Sequence, residues 1–402
     1  MKSLTTLVFL ACASACLAQT PLSLQQAVEQ ATRHRAEIAS AARRVEAGED
    51  LRRQSQAFPN PRLFLQSEDI RTSSNFDFAQ DSETFGYLSQ VIETSGARRA
   101  RIALASADSR LSNLDFEQLR REISFRVRDA YWQALSAQIA RSLYQESDSY
   151  FQQVVQYHEA RFHEGKLAEV DLLRIQLQAQ QIHAGLSNAE LEEQKAQLEL
   201  AREMGVSPTG PWMLTEKFDQ LESPRQSDSQ AAPQTAVRIA NENVGVAQAR
   251  ENQERAKGRP DLDVLFGYKR DVGFNTAILG LQLNLPLFDR NRAATAAASE
   301  EIESAKSSLE ATRFLVDSEL SLARREYASR LQQVNEVFMP LRERAEQIAD
   351  VTRAAYMQGG LDLLRLIDAE RLRVEAQLAW VDALNRYHLS VVQLERAEGV
   401  EP

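Results

Sequence analysis

A mainly helical chain with a small membrane β part, built as two internal repeats, is the fold that this sequence predicts. Three observations carry it. First, Ala97–Glu164 runs 68 residues with neither glycine nor proline, and Asp289–Gln358 runs 70 with no glycine and one proline, Pro340. As α-helices at about 1.5 Å per residue, each would exceed roughly 100 Å, far beyond a globular helix. Second, strand-like segments with a period of two precede each rod. Third, the halves match: Gly165 with Gly359 and Gly205 with Gly399 are both 194 positions apart. Asp171-Leu172-Leu173-Arg174 matches Asp362-Leu363-Leu364-Arg365 at 191, so the second turn is three residues shorter. Internal repetition of this kind outranks any single-segment reading.

The chain of 402 residues opens as an export signal. Lys2 is basic, Leu4–Leu10 apolar and Ala11–Ala18 small-residue. Cleavage after Ala18 (residues 1–18 removed) is one reading. Lipidation at Cys16 of a weak lipobox, Ala13-Ser14-Ala15-Cys16, is the other. Both cysteines, Cys12 and Cys16, lie here, so cleavage after Ala18 leaves no thiol chemistry. A net charge of −10 without a basic stripe argues against nucleic acid as partner. No stretch is long and apolar enough for a transmembrane helix.

The first repeat spans 19–204. Leu22–Gln56 reads as one helix, with Ser23 and Gln26 as a capping box, ending before Pro59-Asn60-Pro61. Strands are expected next at about 62–69 and 83–92; in the latter, Phe85, Tyr87, Ser89 and Val91 alternate with Gly86, Leu88 and Gln90. The long helix 97–164 carries two apolar seams, which suits packing between two neighbours. Gly165 ends it, and 168–204 returns antiparallel. Residues 205–233, rich in proline and serine, read as a linker or a partly ordered segment around Trp212.

The second repeat, 234–402, restates the pattern. A helix precedes Arg259-Pro260-Asp261, and strands are expected at about 261–270 and 275–285. Leu262, Val264, Phe266 and Tyr268 share one face of the first; Ala277, Leu279, Leu281, Leu283 and Leu285 share one face of the second. Such alternation marks either a membrane barrel strand or a half-buried soluble sheet. In the long helix 289–358, Leu320, Ala323, Tyr327, Leu331, Val334, Phe338, Leu341, Ala345 and Ile348 form a seam, with a kink at Pro340. Gly359-Gly360 ends this rod, and 362–398 returns.

Four strands cannot close a barrel, and open edges do not occur in lipid. Strands that enter a membrane must therefore be shared among chains, and three copies make twelve. Hollow, membrane-spanning and long, such an object is a conduit.

The chain resembles the outer-membrane efflux proteins of the TolC type over nearly its whole mature length. The resemblance rests on Leu22-Ser23-Leu24-Gln25-Gln26-Ala27-Val28, on Asn284-Leu285-Pro286-Leu287-Phe288-Asp289-Arg290-Asn291-Arg292, and on Tyr356-Met357-Gln358-Gly359 with Leu363-Leu364-Arg365-Leu366-Ile367-Asp368-Ala369. Within that family, Ser89–Arg99 and Tyr387–Gly399 are similar to the cobalt–zinc–cadmium heavy-metal efflux branch, although Ala97 stands where that branch often has lysine. The resemblance implies a homotrimer forming an α-helical tunnel on a shared 12-stranded barrel in outer-membrane lipid of a Gram-negative bacterium, with a long periplasmic extension. It also implies a periplasmic adaptor protein on the helix tips and an inner-membrane, proton-driven resistance-nodulation-division pump.

No catalytic set, cofactor site or metal site is visible, so the chain reads as no enzyme. A soluble periplasmic coiled-coil scaffold is the rival from another class, and a duct for drugs rather than metal cations the rival within the class. Asp171, Asp362 and Asp368 are candidates for the tunnel entrance and its gate; the alternative for Asp362 is a helix cap. Gly165, Lys166, Gly359 and Gly360 are candidates for adaptor contact. His158 and His163 are expected as solvated tip residues, since a spacing of five does not align two metal ligands. Arg98, Arg99, Arg101, Arg290 and Arg292 read either as anchors at a lipid headgroup boundary or as solvated helix starts.

Overall fold

The computed structural model describes residues 20–70, 77, 82–207, 210–225, 234–271 and 274–400. The expected signal segment with Cys16 and the last part of the expected linker, 226–233, lie outside the described residues. In chain order the first half holds β1 (Thr20–Leu22), α1 (Leu24–His34), α2 (Ala36–Ser55), β2 (Arg62–Glu68), β3 (Glu83–Ile92), α3 (Ala97–His163) and α4 (Glu169–Met204). The second holds β4 (Trp212–Leu214), α5 (Thr235–Lys257), β5 (Leu262–Asp271), β6 (Phe274–Leu283), α6 (Arg292–Gln333), a π-helical turn (Val334–Phe338), α7 (Met339–Met357) and α8 (Leu363–Glu398). The fold is thus mainly helical, and each half runs helix, two strands, long helix, return helix.

Two compact units draw on both halves. One comprises Met1–Ile38, Arg120–Asp228 and Glu319–Pro402; the other comprises Ala39–Leu119 and Ser229–Ser318.

The second unit contains the four-stranded antiparallel sheet, in the order β2-β3-β5-β6. Register fixes its faces. Leu63 pairs with Leu88, Leu88 with Phe266, and Phe266 with Leu279, so these four share a side. Leu262–Leu283 and Val264–Leu281 extend the same side. Leu63, Leu65, Leu88, Phe266, Leu279 and Leu281 are all exposed there. The opposite side is polar at its ends, where Lys269 Nζ lies 2.6 Å from Glu83 and Ser89 Oγ donates to Asp263 Oδ1 at 2.7 Å. Between them Phe64 and Tyr87 stack at 4.8 Å. Gly267 makes room for this stack: a Cβ there would stand 2.5 Å from Tyr87 Cβ and 2.4 Å from the Gly86 carbonyl. Helices of the same unit are joined by polar contacts, among them Arg110–Glu242 at 2.7 Å and Ser109 donating to Glu49 at 2.5 Å.

The expected single helix Leu22–Gln56 is two helices. Arg35 takes extended backbone angles, φ −69° and ψ 125°, between α1 and α2. Its guanidinium donates to the Glu203 carbonyl and carboxylate, both at 2.9 Å. That nearly buried ion pair requires Arg35 to leave the helix path, which the apolar period does not register. The capping box at Ser23 and Gln26 is present as expected.

After α4 the described residues 210–225 pack against α1, α3 and α8. Met213 pairs in parallel with Pro21 through β4 and β1. The buried Tyr131 hydroxyl donates to the Leu22 carbonyl at 2.8 Å and accepts from the Thr215 amide at 3.1 Å. Further along, Tyr387 donates to the Glu222 carbonyl at 2.7 Å, and the Arg225 amide donates to Glu395 at 2.8 Å. His388 lies flat on Trp132, centroids 3.8 Å apart, and bonds to the Phe218 carbonyl at 2.8 Å. These are single-residue anchors on helices remote in sequence, which is why no periodicity announces the strap.

The second rod begins at Arg292 rather than Asp289. Asn291, at φ 55°, donates its side chain to the Glu254 carbonyl at 2.8 Å and so fixes a turn before the helix. The kink expected at Pro340 takes the form of a widened turn. A proline lacks an N–H and its ring crowds the carbonyl four residues back. Here the backbone inserts one residue: the Met339 amide bonds to the Val334 carbonyl, an i to i−5 bond. Such an insertion rotates the next stretch of helix by about a third of a turn. Of the seam residues expected past the insertion, Leu341 and Ile348 are exposed, while Ala345 stays buried and Ala349 is buried beside it.

Candidate functional site: the helix-hairpin tips

Both tips lie in the first unit and close with the same backbone device. Gly165 at φ 73° and Gly359 at φ 74° are left-handed. The Lys166 amide reaches back to the Arg161 carbonyl and the Gly360 amide to the Ala355 carbonyl, each at 2.9 Å. This pattern satisfies carbonyls that a helix end leaves without donors. A side chain would meet nothing at Gly165 or Gly359, so their backbone conformation is what calls for glycine. Lys166 is exposed, 2.8 Å from Glu164.

The two hairpins are joined beneath the tips. Ile175, Leu363, Leu366 and Ile367 form a buried cluster flanked by Val154, Val155, Leu167 and Tyr356. His158 is buried against it, contrary to the expectation of a solvated residue, while His163 is exposed. One ring nitrogen of His158, Nδ1, faces the Val154 carbonyl at 2.7 Å; the other, Nε2, faces the Tyr356 hydroxyl at 2.6 Å. The carbonyl can only accept, so Nδ1 carries the proton and Nε2 accepts from the tyrosine. Burial holds the imidazole pKa below its ordinary value; the Val154 carbonyl opposes this and the Arg161 charge adds to it. Burial likewise raises the Tyr356 phenol.

Deeper, Glu370 is buried between two arginines. Arg353 Nε lies 3.0 Å from its Oε1, and Arg373 Nε lies 3.0 Å from its Oε2. Arg353 also covers the Tyr150 ring at 5.2 Å, which ties α7 and α8 to α3. A buried carboxylate is tolerated at such a place only with partners of this kind.

The acidic candidates divide. Asp362 is the N-cap of α8, its Oδ1 accepting from the Arg365 amide at 3.0 Å. Asp368 is exposed, with Arg371 at 3.5 Å. Asp171 is half-exposed in the first turn of α4, with Arg174 at 3.7 Å. An acidic group in a first turn is favoured by the helix dipole. Sequence reasoning missed Tyr356 as the hydrogen-bond partner of His158. Their separation of 198 residues gives no local signal; the repeat offset of 194 brings their neighbourhoods into correspondence. Among the described residues, no group of three histidines, cysteines or carboxylates could hold a metal ion.

The basic residues beside the strands also divide. Arg101 pairs with Glu93 at 2.6 Å and donates to the Ser55 and Ala57 carbonyls. Arg98 donates to the Gln56 carbonyl at 2.8 Å and lies over Phe58 at 4.4 Å. Arg99, Arg290 and Arg292 are exposed.

Comparison with known proteins agrees with this architecture. Residues 27–206 match the family model for outer membrane efflux protein. The chain is 24% identical to the cobalt-zinc-cadmium resistance protein CzcC of Cupriavidus metallidurans, over 94% of this chain and 90% of that protein. Among solved structures, CusC superposes with a TM-score of 0.77 at 15% identity, covering 94% of this chain and 92% of that one. The outer membrane protein VceC of Vibrio cholerae gives 0.74 at 18% identity, covering 94% and 96%. CusC is described as forming a transmembrane channel. Helix–strand–strand–long helix–helix, stated twice and superposing along nearly all of CusC and VceC, gives this chain the fold of those proteins, and its residues 27–206 are similar to the outer membrane efflux proteins.

Proposed function

We propose that the protein is the outer-membrane exit duct of a tripartite, proton-driven efflux system. Three chains share one 12-stranded barrel, their helices continue it as a periplasmic tunnel, and exported solute passes without chemistry. The observation that carries this reading is the sheet. It has two strand edges, on β2 and β6, with no partner among the described residues, and one side covered by exposed leucine and phenylalanine. In lipid such edges must be closed by other chains. Residues 1–18 act as the export signal, with Cys16 lipidated or removed, and residues 205–233 connect the repeats 19–204 and 234–402.

The tips form the gate. Gly165, Lys166, Gly359 and Gly360 are the points that a periplasmic adaptor engages, and a resistance-nodulation-division pump of the inner membrane supplies the cargo. The relative named for cobalt, zinc and cadmium resistance favours divalent metal cations as that cargo. Asp368 and Asp171 are the carboxylates left to face the entrance, since one oxygen of Asp362 is committed to a cap.

Fractionation tests the duct. Extraction by detergent but not by high salt, with ion-conducting pores from the purified protein in planar bilayers, is the expected result; release by salt alone would leave a periplasmic scaffold. Cargo is tested by gene deletion and growth on zinc, cobalt, cadmium, copper and silver salts against a drug panel. Sensitivity to drugs alone would remove the metal assignment and keep the duct. For the entrance, Asp368→Asn and Asp171→Asn are expected to lower the cation preference of single channels; unchanged selectivity in both would sink that assignment.

A further inference from the structure

We propose that the helix-bearing end of the sheet carries a collar that binds the headgroups of anionic phospholipids. The proposal rests on the barrel reading above and names the lipid chemistry that the collar takes. At that end the four strand–helix junctions touch in the order of their strands. Arg98 at the start of α3 bonds to Gln56, just before β2. The Thr94 hydroxyl donates to the Pro260 carbonyl at 3.1 Å, and the Ser95 amide to Asp261 at 2.9 Å, joining the β3–α3 and α5–β5 junctions. Gly258 in turn abuts the Arg290 carbonyl, which a Cβ would approach to 2.5 Å. The collar is therefore continuous through the unit.

Its composition is what a lipid boundary selects. Below the last leucines of the sheet, Leu285, Leu287, Phe288 and Phe58 are exposed, and Phe288 is exposed completely at 103%. They continue the apolar face past the end of β6. Arg99, Arg259, Arg290 and Arg292 are exposed beside them, and none has a carboxylate partner among the described residues. The carboxylates close by are engaged elsewhere: Glu93 with Arg101, Glu254 with Lys257 and Asn291, Asp261 with the Ser95 amide, and the exposed Asp289 with the Asn291 amide. Unpaired guanidiniums in the same junctions as exposed phenylalanine and leucine complement a phosphate over an acyl chain, and guanidinium matches phosphate as a two-pronged donor. A soluble partner's carboxylates would match the arginines and leave the leucines unmatched.

The test places a tryptophan at the collar by Phe288→Trp and reads its quenching by dibrominated lipids in liposomes. The native tryptophans, Trp132, Trp212 and Trp380, lie in the other unit and are buried, so they contribute a constant background. Brominated phosphatidylglycerol is expected to quench severalfold more than brominated phosphatidylcholine at equal mole fraction. The preference should fall to about one when Arg99→Gln, Arg290→Gln and Arg292→Gln are combined. Leu285→Trp provides the same reading should the first reporter disturb folding. Equal quenching by the two lipids with the arginines intact overturns the collar and leaves the barrel standing. Absence of quenching by either lipid overturns both.

Discussion

The Tyr356 hydroxyl donates to His158 Nε2 at 2.6 Å, across 198 residues, and so fastens one hairpin of the chain to the other. An imidazole that has accepted a second proton cannot accept this bond. Tyr356→Phe removes the donor and leaves a buried ring nitrogen unpaired, which costs about 1–3 kcal/mol. Faster amide exchange in Arg353–Met357 and Val154–His158, with unchanged exchange at the sheet, is the expected outcome.

The pH dependence of that fastening has a definite sign. The His158 pKa is depressed in the folded chain, so below its ordinary value near 6.5 the unfolded chain takes up a proton that the folded one refuses. Stability at the tips is therefore lost as pH falls from about 6.5 through the lower folded value. Protease sensitivity at Glu164–Leu167 should rise between pH 7 and pH 5.5, and His158→Gln should flatten the rise.

Asp129 behaves in the opposite sense. Burial raises its carboxyl to about 6, against the attraction of Arg396 and Arg128, and its Oδ1 has no partner. Above pH 6 the folded state carries a charge that it disfavours, so this group's contribution to stability declines as pH rises from about 4 to 6. Asp129→Asn should stabilise the chain at pH 7.5 by on the order of 1–2 kcal/mol, with the gain vanishing at pH 4 in thermal unfolding.

Asp362 separates capping from charge. Asp362→Ala should cost about 1 kcal/mol by loss of the bond to the Arg365 amide, whereas Asp362→Asn keeps that acceptor and costs a few tenths. Thermal unfolding of the pair, set beside Asp368→Asn, shows how much of any effect on conduction is structural.

Two sheet glycines should respond unequally. Gly267→Ala meets the Gly86 carbonyl at 2.4 Å, and backbone cannot yield, so strand pairing should fail and detergent-resistant assembly be lost. Gly280→Ala meets only the Leu265 side chain, its tip at 3.3 Å and its Cβ at 3.6 Å, and should assemble normally.

The parts legible in the sequence were those written as periods or as repeats. The rods, the glycine stops and the faces of β5 and β6 come from spacing alone, and register in the structure keeps Leu262, Val264 and Phe266 together. The alternation of β3 could not choose its side, because Phe85, Tyr87 and Val91 balance Leu88; pairing with Leu63 and Phe266 decides it. The features that escaped depend on single contacts between distant residues: Arg35 on Glu203, Tyr131 on the strap, His158 on Tyr356. The one-residue insertion before Pro340 escaped for another reason. A proline announces a lost hydrogen bond but not which way the backbone will yield.

The edges of β2 and β6, unpaired among the described residues, bear on the proposed duct before its chains assemble. A newly exported copy would carry two rows of vacant peptide groups beside a bare leucine face, the combination from which intermolecular β aggregates grow. Synthesis in excess of available membrane should then yield insoluble, β-rich deposits rather than a pool of waiting subunits. For this fold the cell's difficulty lies in timing and escort, not in the stability of the finished object.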